Sequence, residues 1–210
     1  PGLVSAPDGD ALYRYAIRSQ TTTDMAPQAI HELGLREVAR IEAEQAAIAK
    51  HFGYDDLPSF REALKLDRDT FAQSREQILE RYRTYNAQME PMLPKLFGLL
   101  PKTAVQVSAV EEYREQEAPG ASYLQGTPDG KRPGQIYVNT GDFAHRSLLT
   151  IESTAYHEGS PGHHMQVSIA QTLDGLPPFR QQGGYNAYVE GLALYSERLG
   201  KEDRKSTRLN

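Results

Sequence analysis

The sequence contains no cysteine and no tryptophan, and it has no apolar run that approaches the length of a membrane span. The absence of cysteine excludes disulfide bonds and thiolate metal ligands, and it fits an extracytoplasmic protein as well as a cytosolic one. No basic stripe interleaves with aromatic residues, so we expect no nucleic acid partner. The 210 residues carry a mildly acidic net charge of −5. This balance is typical of a globular protein, and the oligomeric state is left open.

The two ends of the chain are expected to be cut. The last eight residues, Asp203–Asn210, resemble the translated start of a common DNA-sequencing adapter. They carry three positive charges and one negative, so removing them takes the net charge from −5 to −7. We therefore expect 203–210 to be a non-native tail and 1–202 to be part of a single domain. Within that domain we expect a helical part over 1–100, a β-strand part over 101–142 and metal-site helices over 143–202.

The first hundred residues show mostly helical periodicity. Gly34 interrupts the first apolar pattern, which predicts a short helix, a break and a longer helix through about residue 50. Ser59 is expected to cap a short helix that ends near residue 64. A long helix is expected to start at Asp69 or Thr70, and Pro91 should end or kink it. Its tyrosines are expected to pack in the core.

A β-prone region follows. The segments 105–110, 123–126 and 135–140 are predicted strands, and turn-forming residues at 127–134 favour a hairpin between the second and third. Helical character returns at 146–156. The predicted fold class is therefore mainly α with a small β-sheet, an α+β fold.

The richest chemistry lies at residues 157–164, which spell HEGSPGHH. A second acidic element follows in the segment 188–195, YVEGLALY. Two histidines, an adjacent glutamate and a downstream glutamate are the components of a catalytic zinc site, which has three protein ligands and one open position. We therefore expect Zn²⁺ as the cofactor, with His157 as the first ligand and Glu190 as the third.

The second ligand is either His163 or His164. In the common HExxH motif the two histidines lie one helical turn apart, but the residue four positions after His157 is Pro161, which cannot bind metal. If Pro161 and Gly162 bulge two residues out of the helix, His163 takes the place of the usual second ligand. A kink without a bulge favours His164. We prefer His163, and the other histidine would then support the site or contact a substrate carbonyl.

Other residues near this motif have candidate roles. Glu158 can take a proton from the attacking water and pass it to the leaving amine. Glu197 lies seven residues after Glu190, on the same helical face, and is expected to support a ligand or form an ion pair. Tyr185 and Tyr188 could donate hydrogen bonds to the oxyanion that forms at a carbonyl, although packing is at least as good an explanation.

Three residues are candidates for substrate binding. Tyr137 and Asn139 lie on the third predicted strand, which could offer a backbone edge to an extended peptide. Arg180 could pair with a substrate carboxylate, and a surface role explains it equally well.

The chain resembles the bacterial domain-of-unknown-function family 885, which includes many predicted lipoproteins. The resemblance rests on the segments 132–140, 157–166 and 188–195, and it extends to 26–41. It covers about residues 10–202, with Leu192 where the family usually has tryptophan. The resemblance implies an incomplete, zincin-related metallopeptidase fold of the gluzincin kind, a longer parent protein and an extracytoplasmic location, periplasmic or lipid-anchored.

These observations predict zinc-dependent hydrolysis of peptide bonds, with Glu158 as the general base. Two rival functions remain. The first is a non-catalytic protein that binds zinc or another ligand in the same groove. The second is a metal-dependent hydrolase of a non-peptide amide or ester. The fragment itself could also be inactive.

Overall fold

The computed structural model describes residues 2–207, which form two compact units. The first unit comprises the chain up to Arg68 together with Tyr185–Ala187. The second comprises Asp69–Gly184 and the chain from Tyr188 onward. Within residues 2–207, no helix is long and apolar enough to cross a membrane.

The first unit is helical. It contains α1 (Gly9–Thr21), α2 (Pro27–His51) and α3 (Leu57–Leu66). Helix α2 runs without interruption through Gly34, so the predicted break was wrong. A single glycine costs a helix only about 1 kcal/mol relative to alanine, and 25 residues of helix absorb that cost. Asp56, rather than Ser59, caps α3, because its carboxylate accepts a hydrogen bond from the Ser59 amide.

The second unit begins with helix α4 (Arg75–Met89). The Ser74 hydroxyl accepts a hydrogen bond from the Gln77 amide and caps this helix, so it starts later than the predicted Asp69 or Thr70. The helix ends at Met89, before Pro91, as predicted. A short 3-10 helix and α5 (Leu93–Leu96) follow.

The sheet has three strands, β1 (Val105–Ala109), β2 (Ala121–Leu124) and β3 (Gly134–Val138). Strand β3 is central; it pairs in parallel with β1 and antiparallel with β2, which confirms the predicted hairpin. The expectation that β3 offers a free edge was wrong, because both of its edges are paired. Within residues 2–207, β2 pairs with β3 alone, so β2 is an edge strand.

The remaining helices complete the second unit. They are α6 (Ile151–Glu158), α7 (His163–Ala170), α8 (Pro178–Gln182) and α9 (Asn186–Thr207). The fold is thus mainly helical with one small sheet, which confirms the α+β prediction. The tyrosines of α4 pack as predicted: Tyr82 belongs to the buried core with Ile136 and Val138 of β3, and Tyr85 packs against it. This core holds α6 against the sheet. The predicted tail lies partly outside the described residues, at 208–210.

Candidate metal centre

The site is built around an interruption between α6 and α7. The amide of Gly162 donates to the carbonyl of Tyr156 at 3.0 Å, six residues back, whereas an α-helix would use a partner four residues back. Two extra residues are therefore bulged out before the chain resumes as helix at His163. This is the bulge that the sequence suggested as one of two alternatives.

Glycine is required inside this bulge. A Cβ atom on Gly162 would overlap the carbonyl oxygen of His157, and a Cβ atom on Gly159 would overlap the side-chain oxygen of Asn86. Because these neighbours include backbone, the chain could not accommodate a larger residue without shifting. The glycines thus permit the close packing of the bulge against α6 and α4.

The bulge brings His157 and His163 together with Glu190. The Nε2 atom of His157 lies 3.4 Å from Oε2 of Glu190, and Nε2 of His163 lies 3.8 Å from the same oxygen. One ligand atom from each of the three residues lies within 4.8 Å of the others. Two ligands about 2.0–2.1 Å from one tetrahedral ion are about 3.4 Å apart, so the contact of His157 with Glu190 already has this spacing, whereas His163 would have to move closer.

The orientation of the His157 ring is fixed by a hydrogen bond to Glu197. Its Nδ1 atom lies 2.9 Å from Oε1 of Glu197, so Nδ1–H donates to that carboxylate, while Nε2 faces Glu190. Pairing of this kind sets the tautomer and the ring direction of metal-binding histidines. Glu197 thus makes the expected close contact with a charged or polar partner, and its support of a metal ligand stays a prediction.

His164 faces away from this cluster. It is 2% exposed, its Nε2 atom lies 2.9 Å from the carbonyl of Thr103, and its Nδ1 atom lies 3.1 Å from the hydroxyl of Tyr123. Nε2–H therefore donates to Thr103, and Nδ1 accepts from Tyr123. Burial lowers the pKa of His164, which keeps the ring neutral. Both nitrogens are occupied, so His164 serves to join α7 to β2 and to the segment before β1.

Glu158 is the buried carboxyl of the site. Only 8% of the residue is exposed, and this burial raises its pKa; the charge of Glu190 acts in the same direction. Two influences lower the pKa, namely the nearby His157 and a hydrogen bond from the backbone of Tyr123. Glu158 therefore lies between the histidine cluster and the edge strand β2. A carboxyl with a raised pKa in such a place is suited to proton transfer.

The three predicted substrate-binding residues lie on or after β3 and on α8, and their roles stay predictions. Asn139 is 1% exposed, and its side chain forms hydrogen bonds with the backbone. It donates to the carbonyls of Glu115 and Ala118 and accepts from the Gly141 amide. It shapes a turn after β3 and has no free polar group to offer. Tyr137 is half-buried on the central strand β3, and Arg180 is exposed on α8.

The two candidate oxyanion donors are both exposed. Tyr188 lies in the first turn of α9, two residues before Glu190, and 62% of it is exposed. Tyr185 precedes α9, is 54% exposed and belongs to the first unit. Their roles in the chemistry stay predictions.

Two further residues were not singled out from the sequence. Tyr123 contacts both Glu158 and His164, and Gln166 donates from Nε2 to the carbonyl of Tyr188 at 3.2 Å. The position of Gln166 one helical turn after His163 was the available signal for it. Tyr123 gave none, since its contacts depend on the pairing of β2 with β3.

The comparisons with known proteins place the chain in a family. The family model described as "Bacterial protein of unknown function (DUF885)" matches residues 2–204. The crystal structure of "the putative lipoprotein from Colwellia psychrerythraea" is similar, with 30% identity and a TM-score of 0.90. The match covers 96% of this chain but 35% of that one, so the chain spans about a third of this relative. No curated protein matches. With nearly its whole length matched by the family model, the chain belongs to the bacterial DUF885 family.

Proposed function

We propose that this chain carries the zinc site of a metal-dependent peptidase, held by His157, His163 and Glu190. The observation that supports this most directly is the convergence of the three ligand atoms beside a buried carboxyl, Glu158. Two histidines and one glutamate are a donor set of catalytic zinc sites, in which a fourth position remains for water or substrate.

The donors fit zinc in their chemistry as well as in their spacing. Zinc binds neutral imidazole nitrogen and carboxylate oxygen, and His157 presents Nε2 because Nδ1 is committed to Glu197. The pKa of His163 is lowered, chiefly by burial, which keeps this second nitrogen available as well. Three carboxyl side chains, Glu158, Glu190 and Glu197, surround the two rings and favour a cation.

In the proposed reaction Glu158 acts on the attacking water. The chemistry supplied by zinc in such sites is the acidification of water and the polarisation of the scissile carbonyl. Glu158 takes the proton of the water and delivers it to the leaving amine. Its buried position supports this role, because a carboxyl whose pKa is raised accepts a proton more readily than an exposed one.

The edge strand β2 is the proposed place for an extended peptide substrate. A peptide can add to an unpaired strand edge through backbone hydrogen bonds. The backbone of Tyr123 in β2 lies close enough to Glu158 to lower its pKa, so a peptide on this edge would lie beside the general base. We further propose that the fold is zincin-like. The helix that carries His157 and Glu158 lies next to an antiparallel edge strand, and the bulge at 159–162 takes the place of one helical turn.

We also propose that the parent protein acts outside the cytoplasm. The similar Colwellia psychrerythraea protein is described as a putative lipoprotein, and the present chain lacks cysteine, which is compatible with that environment. Localisation of the tagged parent protein by cell fractionation tests this; recovery in the cytosol would contradict it.

The decisive experiment measures metal and turnover in the same preparations. Elemental analysis of the wild-type protein should give one zinc per chain, and Glu190→Ala should lose it. Glu158→Gln should keep the zinc and lose cleavage of a peptide library. If the wild-type protein binds no zinc when zinc is supplied, the proposal is wrong. Zinc binding without cleavage of peptides would favour the rival functions, and turnover of simple amides and esters by the same protein would separate those two.

A further inference from the structure

Gln166 lies close in sequence to one proposed ligand, His163, and bonds to the helix that carries another, Glu190. It lies on α7 one turn after His163, on the same side of the helix, and only 8% of it is exposed. Its Nε2 atom donates to the carbonyl of Tyr188 at 3.2 Å. Tyr188 precedes Glu190 by two residues on α9. The buried amide of Gln166 therefore contacts the backbone of α9 two residues before Glu190, the proposed third ligand. On α7 it lies one turn after His163, the proposed second ligand.

Two buried polar atoms at this point lack a partner with normal hydrogen-bond geometry among the residues that the structure describes. They are Nδ1 of His163 and Oε1 of Gln166. A buried donor or acceptor without a partner is unfavourable, because its lost hydrogen bonds to water are not replaced. The two atoms are complementary, because Nδ1 carries a proton when Nε2 faces the cluster and an amide oxygen accepts one.

We infer that Gln166 is a positioning residue, whose Oε1 accepts from Nδ1–H of His163 while its Nε2 holds the carbonyl of Tyr188. It thereby fixes the tautomer of the second ligand and the approach of α9, which carries the third. This inference rests on the proposed function, since it assigns Gln166 a role toward the same metal.

An amide suits this position better than a carboxylate. Gln166 must donate to one neighbour and accept from another, and an ionised glutamate could only accept. The site already holds the carboxyl groups of Glu158, Glu190 and Glu197, and a fourth negative charge would raise the pKa of Glu158 further. His157 is supported by the carboxylate of Glu197, so the two histidines are oriented by different chemistry.

Zinc affinity of three variants tests the role of Gln166. Competition with a chelator should show that Gln166→Leu binds zinc about 10–100-fold more weakly than wild type, the usual cost of removing a partner of a ligand. Gln166→Glu keeps the acceptor for His163 but loses the donor to the carbonyl of Tyr188, so it should recover only part of this loss. The matched control is Gln171→Leu, because Gln171 also ends in an amide on the same part of the chain but donates to Gly126. It should bind zinc like the wild type.

The Nδ1 proton of His163 provides a second readout that needs no metal. By NMR it should exchange slowly with water in the wild type and in Gln166→Glu, and rapidly in Gln166→Leu. Unchanged zinc affinity in Gln166→Leu together with a retained slow proton would overturn the inference. If Gln166→Leu fails to fold, the wild-type spectrum decides, because rapid exchange of that proton would exclude the bond. A wild type that binds no zinc would contradict the proposed function, while this proton would still report on the contact.

Discussion

Oε1 of Glu197 and Nδ1 of His157 lie 2.9 Å apart, and this contact decides which nitrogen of His157 faces Glu190. Glu197 lies on α9 and His157 lies on α6, so the contact also fixes the position of α9 relative to α6. Glu190 and Glu197 are seven residues apart on α9, about two turns, so one helix supplies both a proposed ligand and the hydrogen-bond partner of another proposed ligand.

Replacing Glu197 should therefore weaken metal binding without removing a ligand. We expect Glu197→Ala to reduce zinc affinity about 10–100-fold, and Glu197→Gln to lose less, because an amide oxygen still accepts from Nδ1–H. Isothermal titration or chelator competition measures both. If the Glu197→Ala variant binds zinc as tightly as the wild type, the tautomer of His157 does not depend on this contact.

The adjacent histidines should respond in opposite ways. His163→Ala should abolish stoichiometric zinc binding, yet it should cost the metal-free protein only about 0.5–1.5 kcal/mol, because it removes the single proposed hydrogen bond from Nδ1–H to Gln166. His164→Ala should cost roughly 1–3 kcal/mol, since it leaves the carbonyl of Thr103 and the hydroxyl of Tyr123 without their partner.

Denaturant unfolding in the presence of a chelator, followed by elemental analysis of the zinc-loaded proteins, separates these two effects. His164→Ala that folds should still bind zinc. Loss of zinc in folded His164→Ala with full retention in His163→Ala would reverse the ligand assignment.

Glu158 should destabilise the metal-free protein at neutral pH. Burial raises its folded pKa above that of the unfolded chain, so the folded state binds the proton more tightly. Stability from this group is present below the unfolded value and is lost as the pH rises through the raised folded pKa. Glu158→Gln, which stays neutral, should therefore be more stable than wild type at pH 7, by about 1.4 kcal/mol for each unit of pKa shift.

The measurement is the free energy of unfolding of both proteins, without metal, from about pH 4 to pH 7. The advantage of Glu158→Gln should shrink toward the acid end. Glu117→Gln, a change at an exposed residue of the same unit, is the control and should alter stability by less than about 0.5 kcal/mol. An equal effect of the two substitutions would contradict the link between burial and the raised pKa of Glu158.

Much of the local geometry of the site could be predicted from the sequence. Pro161 cannot continue the preceding turn, and Gly162 permits a close approach of backbone, so a two-residue bulge that brings His163 into the cluster was one of two foreseeable outcomes. The hairpin of β2 and β3 was also predictable, because turn-forming residues separate two adjacent β-prone segments.

Features that depend on distant parts of the chain were not predictable. The parallel pairing of β1 with β3 makes β3 central, and no local pattern around Ile136 distinguishes a central from an edge strand. Asn139 has the polarity of a binding residue, but its amide satisfies the backbone of a segment about 20 residues earlier. The continuity of α2 through Gly34 was missed because the small local cost of a glycine was given too much weight.

The bulge before α7 supports a last prediction, on two glycines of the second unit. Gly162→Ala should destabilise the protein by more than about 2 kcal/mol, because its Cβ would overlap the carbonyl of His157 and neither atom can move without displacing α6. The same displacement would move His163 away from Glu190, so zinc should be lost as well. Gly191→Ala is the matched control, since it lies in α9 with open space around it and should stabilise the helix by about 0.5–1 kcal/mol. Thermal unfolding with and without zinc measures both changes. A Gly162→Ala protein that is as stable as Gly191→Ala would show that the bulge tolerates a side chain and that close packing at Gly162 does not determine the position of His163.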